Sequence, residues 1–365
     1  MQARVEATCA AIGPLHRAAM EAARARQPQL TKPWGSLGRL EDLGTQLAGI
    51  IGEPIPRLGA RTIITCAGDH GVVEEQVSMF GPETTPAMVR NFLAGGAGIN
   101  VLARVAGSDV LVLDVGVAVD LPTHPKLFIR KVAHGTRNLS RGPAMTREQA
   151  WQAIAAGIEA AEAAIAAGAT LLGTGDMGIA NTTPSSAMVA AFTGEPVPRV
   201  TGRGSGIDDA TLARKIAVIE RGLAINQPDP TDPIDVLAKV GGFEIGAIAG
   251  ICLAGAAHRI PVIIDGFISG AGALLAYRLA PAVQPYLIAG HASVEIGQRV
   301  VLRELGLQPL INLDLRLGEG TGAALAMPIV EAAWRILSEM NTWDGAAVAG
   351  PLVAADQSTP DARSA

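Results

Sequence analysis

The chain has few cysteines, few aromatic residues and no excess of basic charge. Its three cysteines, Cys9, Cys66 and Cys252, show neither a disulfide framework nor a metal-ligand spacing, and they favour a reducing cytoplasm. Aromatic residues make up 3% of the 365 residues, so small and aliphatic side chains must supply most of the core. A formal net charge of −5 offers no basic field to attract nucleic acid or an anionic membrane surface.

Long uninterrupted apolar runs are missing as well. The most apolar stretches, 245–257 and 260–280, are separated by His258 and Arg259, and neither provides about 20 continuous apolar residues. Residues 1–26 alternate charged side chains with alanine, which is not the pattern of a secretory signal peptide. We therefore expect neither a membrane span nor a signal peptide.

Short β-rich runs alternate with helical patterns along most of the chain. The predicted strands are 61–66, 109–115, 170–173, 260–264, 286–288 and 310–313. The predicted helices between them include 85–105, 146–167, 207–223, 243–257 and 294–305. This alternation predicts an α/β fold with a mainly parallel, Rossmann-like sheet that is flanked by helices.

The two ends of the chain predict a second, smaller unit. Residues 1–60 show helical patterns and a loop at 31–38, and they are expected to pack with a C-terminal helix in 321–350 as a small helical subdomain. The α/β core is expected to span 61–320. Residues 351–365 are rich in Ala, Asp, Ser and Pro, and they predict a disordered tail.

Polar and glycine-rich segments follow the predicted strands. They are 68–71, 114–116, 174–183, 265–266 and 314–322. Because ligands of parallel α/β sheets bind beyond the carboxyl ends of the strands, we expect these loops to meet at one rim.

Glu319 is the strongest candidate for a catalytic residue. It lies between Gly318 and Gly320, after an apolar run and before a predicted helix. Flanking glycines permit a positive φ and a close approach of the backbone to a ligand. A carboxylate in such a turn suits a general base, although a helix-capping role is the simpler alternative for this residue alone.

Two glycine-rich loops predict a phosphate-bearing ligand. The first, 173–183, contains Asp176 and precedes a predicted helix near Thr183, and the second is 201–208. Main-chain N–H groups and helix N-termini bind phosphate well, and Lys215 follows in the next helix. Neither loop matches a Walker or dinucleotide motif, and a purely structural role is open for either loop alone.

Other polar clusters favour structural roles. Asp69, His70 and Asp114 fit no familiar metal spacing and are expected to stiffen loops. His291 and Glu295 are four residues apart at a helix start, where capping is the favoured role. Neither a nucleophile elbow nor an activated cysteine is visible.

Seven sequence blocks, spread from about residue 31 to about residue 340, carry a family resemblance. They are Thr31-Lys-Pro-x-Gly-Ser-Leu-Gly-Arg-Leu-Glu41, Asp69-His-Gly-Val72, Gly95-Gly-Ala-x-Ile-Asn100, Gly178-Ile-x-Asn-Thr-Thr183, Val240-Gly-Gly-x-Glu-Ile245, Asp265-Gly-Phe-Ile268 and Arg316-Leu-Gly-Glu-Gly-Thr-Gly-Ala323. With these blocks in this order, the chain resembles the nicotinate-nucleotide:dimethylbenzimidazole phosphoribosyltransferases. The resemblance implies transfer of ribose 5-phosphate from nicotinate mononucleotide to an aromatic base, with inversion at C1′ and release of nicotinate.

The resemblance also implies roles for individual residues. Glu319 would be the general base, and Asp176 would act near the ribose. The phosphate and ribose would be bound by Gly175, Gly178, Ile179, Asn181, Thr182, Gly202, Gly204, Ser205, Lys215, Asp265 and Gly266. The base would be bound by Ser78, Phe80, Met88, Leu317 and Gly318. The resemblance implies no metal and no organic cofactor, small-molecule substrates only, and a homodimer.

The chain departs from the family pattern at three places. Asp176 stands where the family typically has Glu, and Ala180 replaces a glycine in the same loop. Ser205 replaces a threonine and keeps the hydroxyl. Pro86 and Ala87 stand where the family usually has a glutamine, in a segment that lines its base pocket. The accepted base is therefore open: dimethylbenzimidazole, another benzimidazole, a phenolic or a purine.

Two other functions remain alternatives at this point. A nicotinate-nucleotide glycohydrolase would use water in place of the base. A nucleotide-binding regulator would have kept the fold and lost turnover, but the retained Glu319 argues against it.

Overall fold

Six strands form one parallel sheet in the computed structural model, which describes residues 1–55 and 57–350. The strands are β1 (Ala60–Gly68), β2 (Asp109–Gly116), β3 (Leu127–Ile129), β4 (Ala169–Met177), β5 (Val262–Ile264) and β6 (Leu287–Ala289). Their spatial order is β3-β2-β1-β4-β5-β6, and all neighbours pair in parallel. This is the order of a doubly wound α/β sheet, so the predicted fold class is confirmed.

Helices connect and flank the strands. The α-helices are α1 (Gln2–Ala10), α2 (Arg17–Arg26), α3 (Arg39–Ile51), α4 (Thr84–Ala94), α5 (Gly98–Ala106), α6 (Arg147–Ala166), α7 (Thr182–Thr193), α8 (Val197–Val200), α9 (Asp209–Asn226), α10 (Pro233–Val240), α11 (Phe243–Ala257), α12 (Phe267–Leu279), α13 (Ile296–Leu305) and α14 (Thr321–Glu339). Short 3-10 helices occur at Gln27–Gln29, Gly71–Glu75 and Pro281–Tyr286.

The sheet is buried on both faces. Ile63 and Ile64 are consecutive in β1, so their side chains point to opposite faces, and both are fully buried. Small residues bring the covering helices close together. A Cβ atom at Gly157 of α6 would collide with the carbonyl oxygen of Ala247 in α11. Close packing of Ala- and Gly-rich helices therefore builds a core that needs few aromatic side chains.

Three predicted elements differ from the structure. The strand predicted at 310–313 is wrong: this segment contributes one isolated bridge, between His291 and Ile311, and Leu313 is largely exposed. Strand β3 was not predicted, because its three apolar residues stand between Lys126 and Arg130, whereas the equally short β5 and β6 lie in longer apolar runs. The helix predicted at 85–105 is two helices, α4 and α5, since the chain leaves α4 through Gly95 at a φ of 80°.

The described residues divide into two units. The larger comprises Met1–Pro14 and Gly59–Pro328, and the smaller comprises Leu15–Leu58 and the chain from Ile329 onward. The sequence placed α1 with the smaller unit, but α1 packs on α6 and α11 through the buried Val5, which assigns it to the larger one. The tail predicted at 351–365 lies outside the described residues.

The smaller unit is helical. Ala23, Ala48 and Leu337 form a buried cluster there. Its loop at 31–38 is fixed by Glu41, whose Oε1 lies 2.7 Å from Lys32 Nζ and also accepts a hydrogen bond from the Leu37 N–H. This pair accounts for the lysine and the glutamate of the 31–41 motif.

Among the described residues, no helix is long and apolar enough to cross a membrane.

Candidate active site

A cavity of about 420 Å³ lies in the larger unit, and loops that follow its strands and precede its helices line it. Both predicted catalytic residues, Glu319 and Asp176, line this cavity. So do the residues predicted for the aromatic base: Ser78, Phe80, Met88, Leu317 and Gly318. Of those predicted for the ribose and phosphate, Gly178, Ile179, Asn181, Thr182, Gly204, Ser205, Lys215 and Gly266 line it. One cavity thus collects most of the predicted site.

Three predicted ligand-binding residues, Gly175, Gly202 and Asp265, are not among the lining residues. Gly175 gives the Glu319 backbone room, because a Cβ there would collide with the Glu319 carbonyl oxygen. Gly202 leaves room for the Glu295 carboxylate, because a Cβ there would collide with it. Close contacts with Glu319 and Glu295, which line the cavity, place Gly175 and Gly202 behind its wall.

The Glu319 turn is held in a left-handed backbone conformation. The φ angles of Gly318, Glu319 and Gly320 are 81°, 65° and 102°. The glycines take such angles freely, whereas a glutamate is strained there. Two hydrogen bonds hold the strained residue: Thr65 Oγ1 donates to the Glu319 carbonyl at 2.8 Å, and the Glu319 N–H donates to the Asp176 carbonyl at 3.2 Å. Strands β1 and β4 therefore fix this turn.

The Glu319 carboxylate faces a helix N-terminus. Its Oε2 accepts a hydrogen bond from the Ile99 N–H in the first turn of α5, at 3.0 Å. Burial raises the pKa of Glu319, the Ile99 N–H lowers it, and the neighbouring Asp265 raises it again, with a net increase.

Asp265 accepts hydrogen bonds at the N-terminus of α14, the helix that follows Glu319. Its Oδ2 accepts a hydrogen bond from the Gly320 N–H at 3.1 Å, and its Oδ1 accepts from the N–H groups of Gly322 and Ala323 at 2.7 and 3.0 Å. Burial raises the pKa of Asp265, although His291 and the three N–H groups oppose this. Asp265 is the anchor of the turn that presents Glu319.

Asp176 is the second-last residue of β4 and lines the cavity. Its Oδ2 accepts a hydrogen bond from Asn181 Nδ2 at 2.9 Å. Burial raises the pKa of Asp176 to about 8, with further increases from Asp265, Glu244 and Glu319 and a decrease from Asn181. In the ligand-free site this carboxyl group is therefore mostly protonated at neutral pH.

Lys215 lies on the other side of the cavity, where the two glycine-rich loops meet. Its Nζ donates a hydrogen bond to Thr182 Oγ1 at 2.6 Å, at the start of α7. Burial lowers the pKa of Lys215 to about 8, and the Glu295 carboxylate partly offsets this effect. A buried lysine beside a helix N-terminus suits an anionic group.

Glu295 lines the cavity, although the sequence assigned it a capping role. It occupies the N-cap position of α13, but its side chain makes no capping hydrogen bond. Its Oε1 instead accepts a hydrogen bond from the Gly204 N–H at 2.8 Å. The predicted capping role is wrong, because the carboxylate points into the glycine-rich loop beside Lys215. No local signal in the sequence links residues 204 and 295.

The base side of the cavity is apolar and partly open. Phe80 and Leu317 are 50% and 60% exposed. Ser78 Oγ accepts a hydrogen bond from the Phe80 N–H at 3.2 Å. Thr84 and Met88, one turn apart on α4, line the cavity, whereas Pro86 does not. A flat aromatic ring fits such a wall.

The loops at 68–71 and 114–116 do not line the cavity, although both were predicted at its rim. Their carboxylates hold backbone instead: Asp69 Oδ2 accepts from the Ala118 N–H at 2.8 Å, and Asp114 Oδ1 accepts from the Val117 N–H at 3.0 Å. Within 1–55 and 57–350, no group of three or more His, Cys, Asp and Glu side chains is arranged to hold a metal ion.

Several lining residues were not predicted from the sequence as part of the site. They are Val77, Thr84, Met177, Ala180, Arg203, Ile207, Phe267, Ile268, His291, Ser293, Glu295 and Arg316. Position within a motif could have found several of them. Arg316 begins the block that contains Glu319, and Phe267 and Ile268 belong to the block that begins at Asp265. Met177, Ala180, Arg203 and Ile207 lie inside the two glycine-rich loops. The remaining residues come from segments that only the folded chain brings together.

Two proteins with sequences similar to this chain have the same name. A protein from Chloroflexus aggregans is 60% identical over 337 residues, which are 92% of this chain and 96% of that protein. One from Roseiflexus sp. (strain RS-1) is 60% identical over 345 residues, 94% of this chain and 98% of that protein. Both are named nicotinate-nucleotide–dimethylbenzimidazole phosphoribosyltransferase.

A solved structure has the same fold. The crystal structure of CobT from Thermus thermophilus matches with a TM-score of 0.89 and 50% identity, over 92% of this chain and 100% of that one. A family model described as phosphoribosyltransferase matches residues 12–348. These similarities show that the chain belongs to this phosphoribosyltransferase family, and the cavity with its carboxyl groups is consistent with it.

Proposed function

We propose that the enzyme transfers ribose 5-phosphate from nicotinate mononucleotide to 5,6-dimethylbenzimidazole and forms α-ribazole 5′-phosphate and nicotinate. The observation that carries this proposal is the strained Glu319 turn, which is fixed to Asp176 at the wall of a cavity that also contains Lys215. The names of the relatives support the same pair of substrates.

Glu319 acts as the general base. The benzimidazole ring must lose its N–H proton as the new C–N bond forms, and a carboxylate within hydrogen-bond reach can accept this proton. The raised pKa of Glu319 makes its carboxylate a stronger base than an exposed one. The Ile99 N–H holds one carboxylate oxygen, so the group has a defined orientation toward the cavity.

Asp176 supports the reacting sugar. The pyridinium ring of nicotinate mononucleotide is cationic, and its binding beside Asp176 favours the ionised carboxylate. That carboxylate then stabilises the positive charge that develops at C1′ as nicotinate leaves. The base attacks from the face opposite nicotinate, which inverts C1′. Placing both partners in line supplies a large part of the acceleration.

Lys215, Thr182 and Ser205 bind the phosphate. All three line the cavity, and Thr182 begins α7. A lysine ammonium forms charge-assisted hydrogen bonds with phosphate oxygens. Glu295 already accepts the Gly204 N–H, so that part of the second glycine-rich loop serves to shape the site. The phosphate then lies toward the α7 N-terminus.

A different aromatic base is a second candidate acceptor. The groups that line the base side are mainly apolar, with hydroxyls at Ser78 and Thr84 and with no glutamine. An apolar wall discriminates weakly between rings of similar size, since one methyl group changes binding by only about 1–3 kcal/mol. Other benzimidazoles therefore compete with dimethylbenzimidazole more readily than purines, whose polar edges need partners.

The test is nicotinate release from nicotinate mononucleotide, measured with and without a panel of bases, with products identified by mass and by anomeric NMR. We expect release that depends on 5,6-dimethylbenzimidazole and an α-riboside product. Faster release with another benzimidazole would keep the reaction and change the acceptor. Release without any base would indicate a glycohydrolase, and no release with any base would refute the proposal.

We also propose that the enzyme works in the cytoplasm as a homodimer and binds no nucleic acid. The family resemblance supports the dimer, and the net charge of −5 disfavours binding to nucleic acid. Light scattering after size-exclusion chromatography measures the oligomeric state directly. A monomer at micromolar concentration would contradict the proposed homodimer.

A further inference from the structure

Two of the family-like sequence blocks take no part in the proposed reaction, yet they meet in the fold. His70, from 69–72, follows β1, and Glu244, from 240–245, lies in the first turn of α11. His70 Nε2 and Glu244 Oε1 are 2.9 Å apart, and the two side chains are 1% and 0% exposed. A pair removed from water so completely loses its hydration, so its charge and position call for a functional explanation.

The pair lies directly behind the cavity wall. A Cβ atom at Gly178, which lines the cavity, would lie 3.2 Å from His70 Nε2. A Cβ atom at Gly242 would lie 2.5 Å from His70 Cε1, and one at Gly68 would lie 3.2 Å from Glu244 Oε2. Glycines therefore surround the pair on three segments, and the imidazole supports the turn that carries Gly178.

Glu244 also contributes to the charge around Asp176, two residues before Gly178. Several elements bring titratable or polar groups toward Asp176: Cys66 on β1, Asn181 before α7, Glu244 on α11, Asp265 after β5 and Glu319 before α14. Glu244 is one of the carboxylates that raise the pKa of Asp176. Burial alone would lower the pKa of His70, but Glu244 and Asp69 raise it above its ordinary value.

We propose that His70 and Glu244 form a positioning pair for the transfer reaction, in which His70 supports the Gly178 turn from behind and Glu244 adds negative charge near Asp176. The proposal rests on the function proposed above. Neither side chain is among the residues that line the cavity, so both act through the turn and through Asp176 without touching substrate.

The first test is the pH profile of kcat/KM for Glu244→Gln, which keeps the size of the side chain and removes its charge. Without that charge Asp176 ionises more easily, so the rising limb that depends on Asp176 moves to lower pH. Glu244→Asp keeps the charge, and we expect the limb to return toward its wild-type position even if kcat stays lower. Tyr286→Phe, which removes a buried hydrogen bond to Gly13 elsewhere in the unit, is the control and leaves the profile unchanged.

A second measurement uses the wild-type protein and does not depend on activity. In the histidine-labelled full chain, long-range proton–nitrogen NMR reports whether the His70 ring is an imidazolium at neutral pH. Its signal is assigned from its shift in Glu244→Asp. Because the ring contacts the turn that carries Gly178, we expect its signal to move when nicotinate mononucleotide binds. A signal that does not respond to the nucleotide would overturn the proposal, even if Glu244→Gln failed to fold.

The outcomes separate this proposal from the proposed function. If the wild-type enzyme releases no nicotinate with any base, the proposed function fails. Suppose instead that the wild-type enzyme is active and that Glu244→Gln has a lower kcat at every pH, with the rising limb of its kcat/KM profile at the wild-type pH. The pair is then merely structural, and the positioning role is refuted.

Discussion

At the scale of single residues, backbone conformation separates the catalytic candidate from ordinary glutamates. Glu319 has a φ of 65°, and the hydrogen bonds from Thr65 and to Asp176 hold it there. Strain of this kind persists only where the surrounding structure fixes it, and it is common at functional sites. The Gly-Glu-Gly pattern predicted the glycine conformations, whereas the positive φ of the glutamate itself follows from the tertiary contacts.

Replacing the proposed base tests its role. Glu319→Gln keeps the shape of the side chain and removes its ability to accept a proton, so we expect kcat to fall by about 10²-fold or more. The dissociation constant for nicotinate mononucleotide, measured by calorimetry, should change little. Glu220→Gln, at an exposed glutamate of α9, is the matched control. A variant at 319 with nearly intact kcat would exclude the base role.

Ala180 is a second residue in a left-handed conformation, with a φ of 72°. An alanine is strained at such an angle and a glycine is not, so Ala180→Gly should stabilise the protein by about 1 kcal/mol. Ala213→Gly, at an exposed position inside α9, should have the opposite effect because glycine weakens a helix interior. The free energy of unfolding in urea measures both. A loss of stability in Ala180→Gly would show that packing of the Ala180 methyl group stabilises the protein by more than the backbone strain destabilises it.

At the scale of elements, the N-terminus of α14 joins the catalytic turn to the sheet. Asp265 follows β5 and accepts hydrogen bonds from three backbone N–H groups at that terminus. The sequence placed Asp265 in the ribose site by resemblance. In the structure it binds backbone, because three N–H groups without helical partners converge where the turn meets the helix.

Asp265→Asn tests this anchor. The amide group retains one acceptor oxygen and presents N–H donors to backbone donors, which leaves buried polar groups unpaired. We expect a loss of about 1–3 kcal/mol in the free energy of unfolding. We also expect a lower kcat, since the Glu319 turn loses its anchor, with a smaller effect on nucleotide binding.

The control for that variant is Asp208→Asn at the N-cap of α9, where Asp208 accepts from the Thr211 N–H. Asn is as good an N-cap as Asp, so the stability of this variant should stay close to that of the wild type. If the two Asp→Asn variants were equally stable, the anchoring role of Asp265 would be excluded.

Most elements were predictable because they are long or strongly patterned. Helix α11 begins and ends at the residues predicted from its apolar run. Strand β3 was not, because its three apolar residues stand between charged side chains. The segment 310–313 was predicted as a strand but forms only the bridge at Ile311, because pairing depends on neighbours that the local sequence does not show. The same limit applies to Glu295, whose position in the site depends on the approach of two distant loops.

At the scale of the whole molecule, buried carboxyl groups make stability depend on pH. Burial raises the pKa of Asp176 to about 8, whereas an unfolded aspartate has a pKa of about 3.9. A group whose pKa is higher in the folded state contributes stability that is fully present below the unfolded pKa and is lost as pH rises through the folded pKa. Glu319 and Asp265, whose pKa values are also raised, act in the same direction.

The ligand-free enzyme should therefore lose stability between about pH 4 and pH 8 through Asp176. Asp176→Asn removes this titration, so its free energy of unfolding relative to the wild type should rise across that range and level off above about pH 8. Urea unfolding at a series of pH values measures the difference. Parallel curves for the two proteins would mean that the pKa of Asp176 is not raised in the folded state.

The sequence alone determined the α/β class, the enzyme family and most of the residues that line the cavity. It could do so because strand and helix periods are local, and because the motif blocks retain their order along the chain. The family resemblance is confirmed by the relatives and the family model.

Only the tertiary structure decided which polar groups meet. It paired Glu319 with the N-terminus of α5, gave Asp265 to the N-terminus of α14, placed Glu295 beside Lys215, and buried His70 against Glu244. Each of these contacts joins segments far apart in sequence. Their charge states follow from burial and from neighbouring charges, which exist only once the chain has folded.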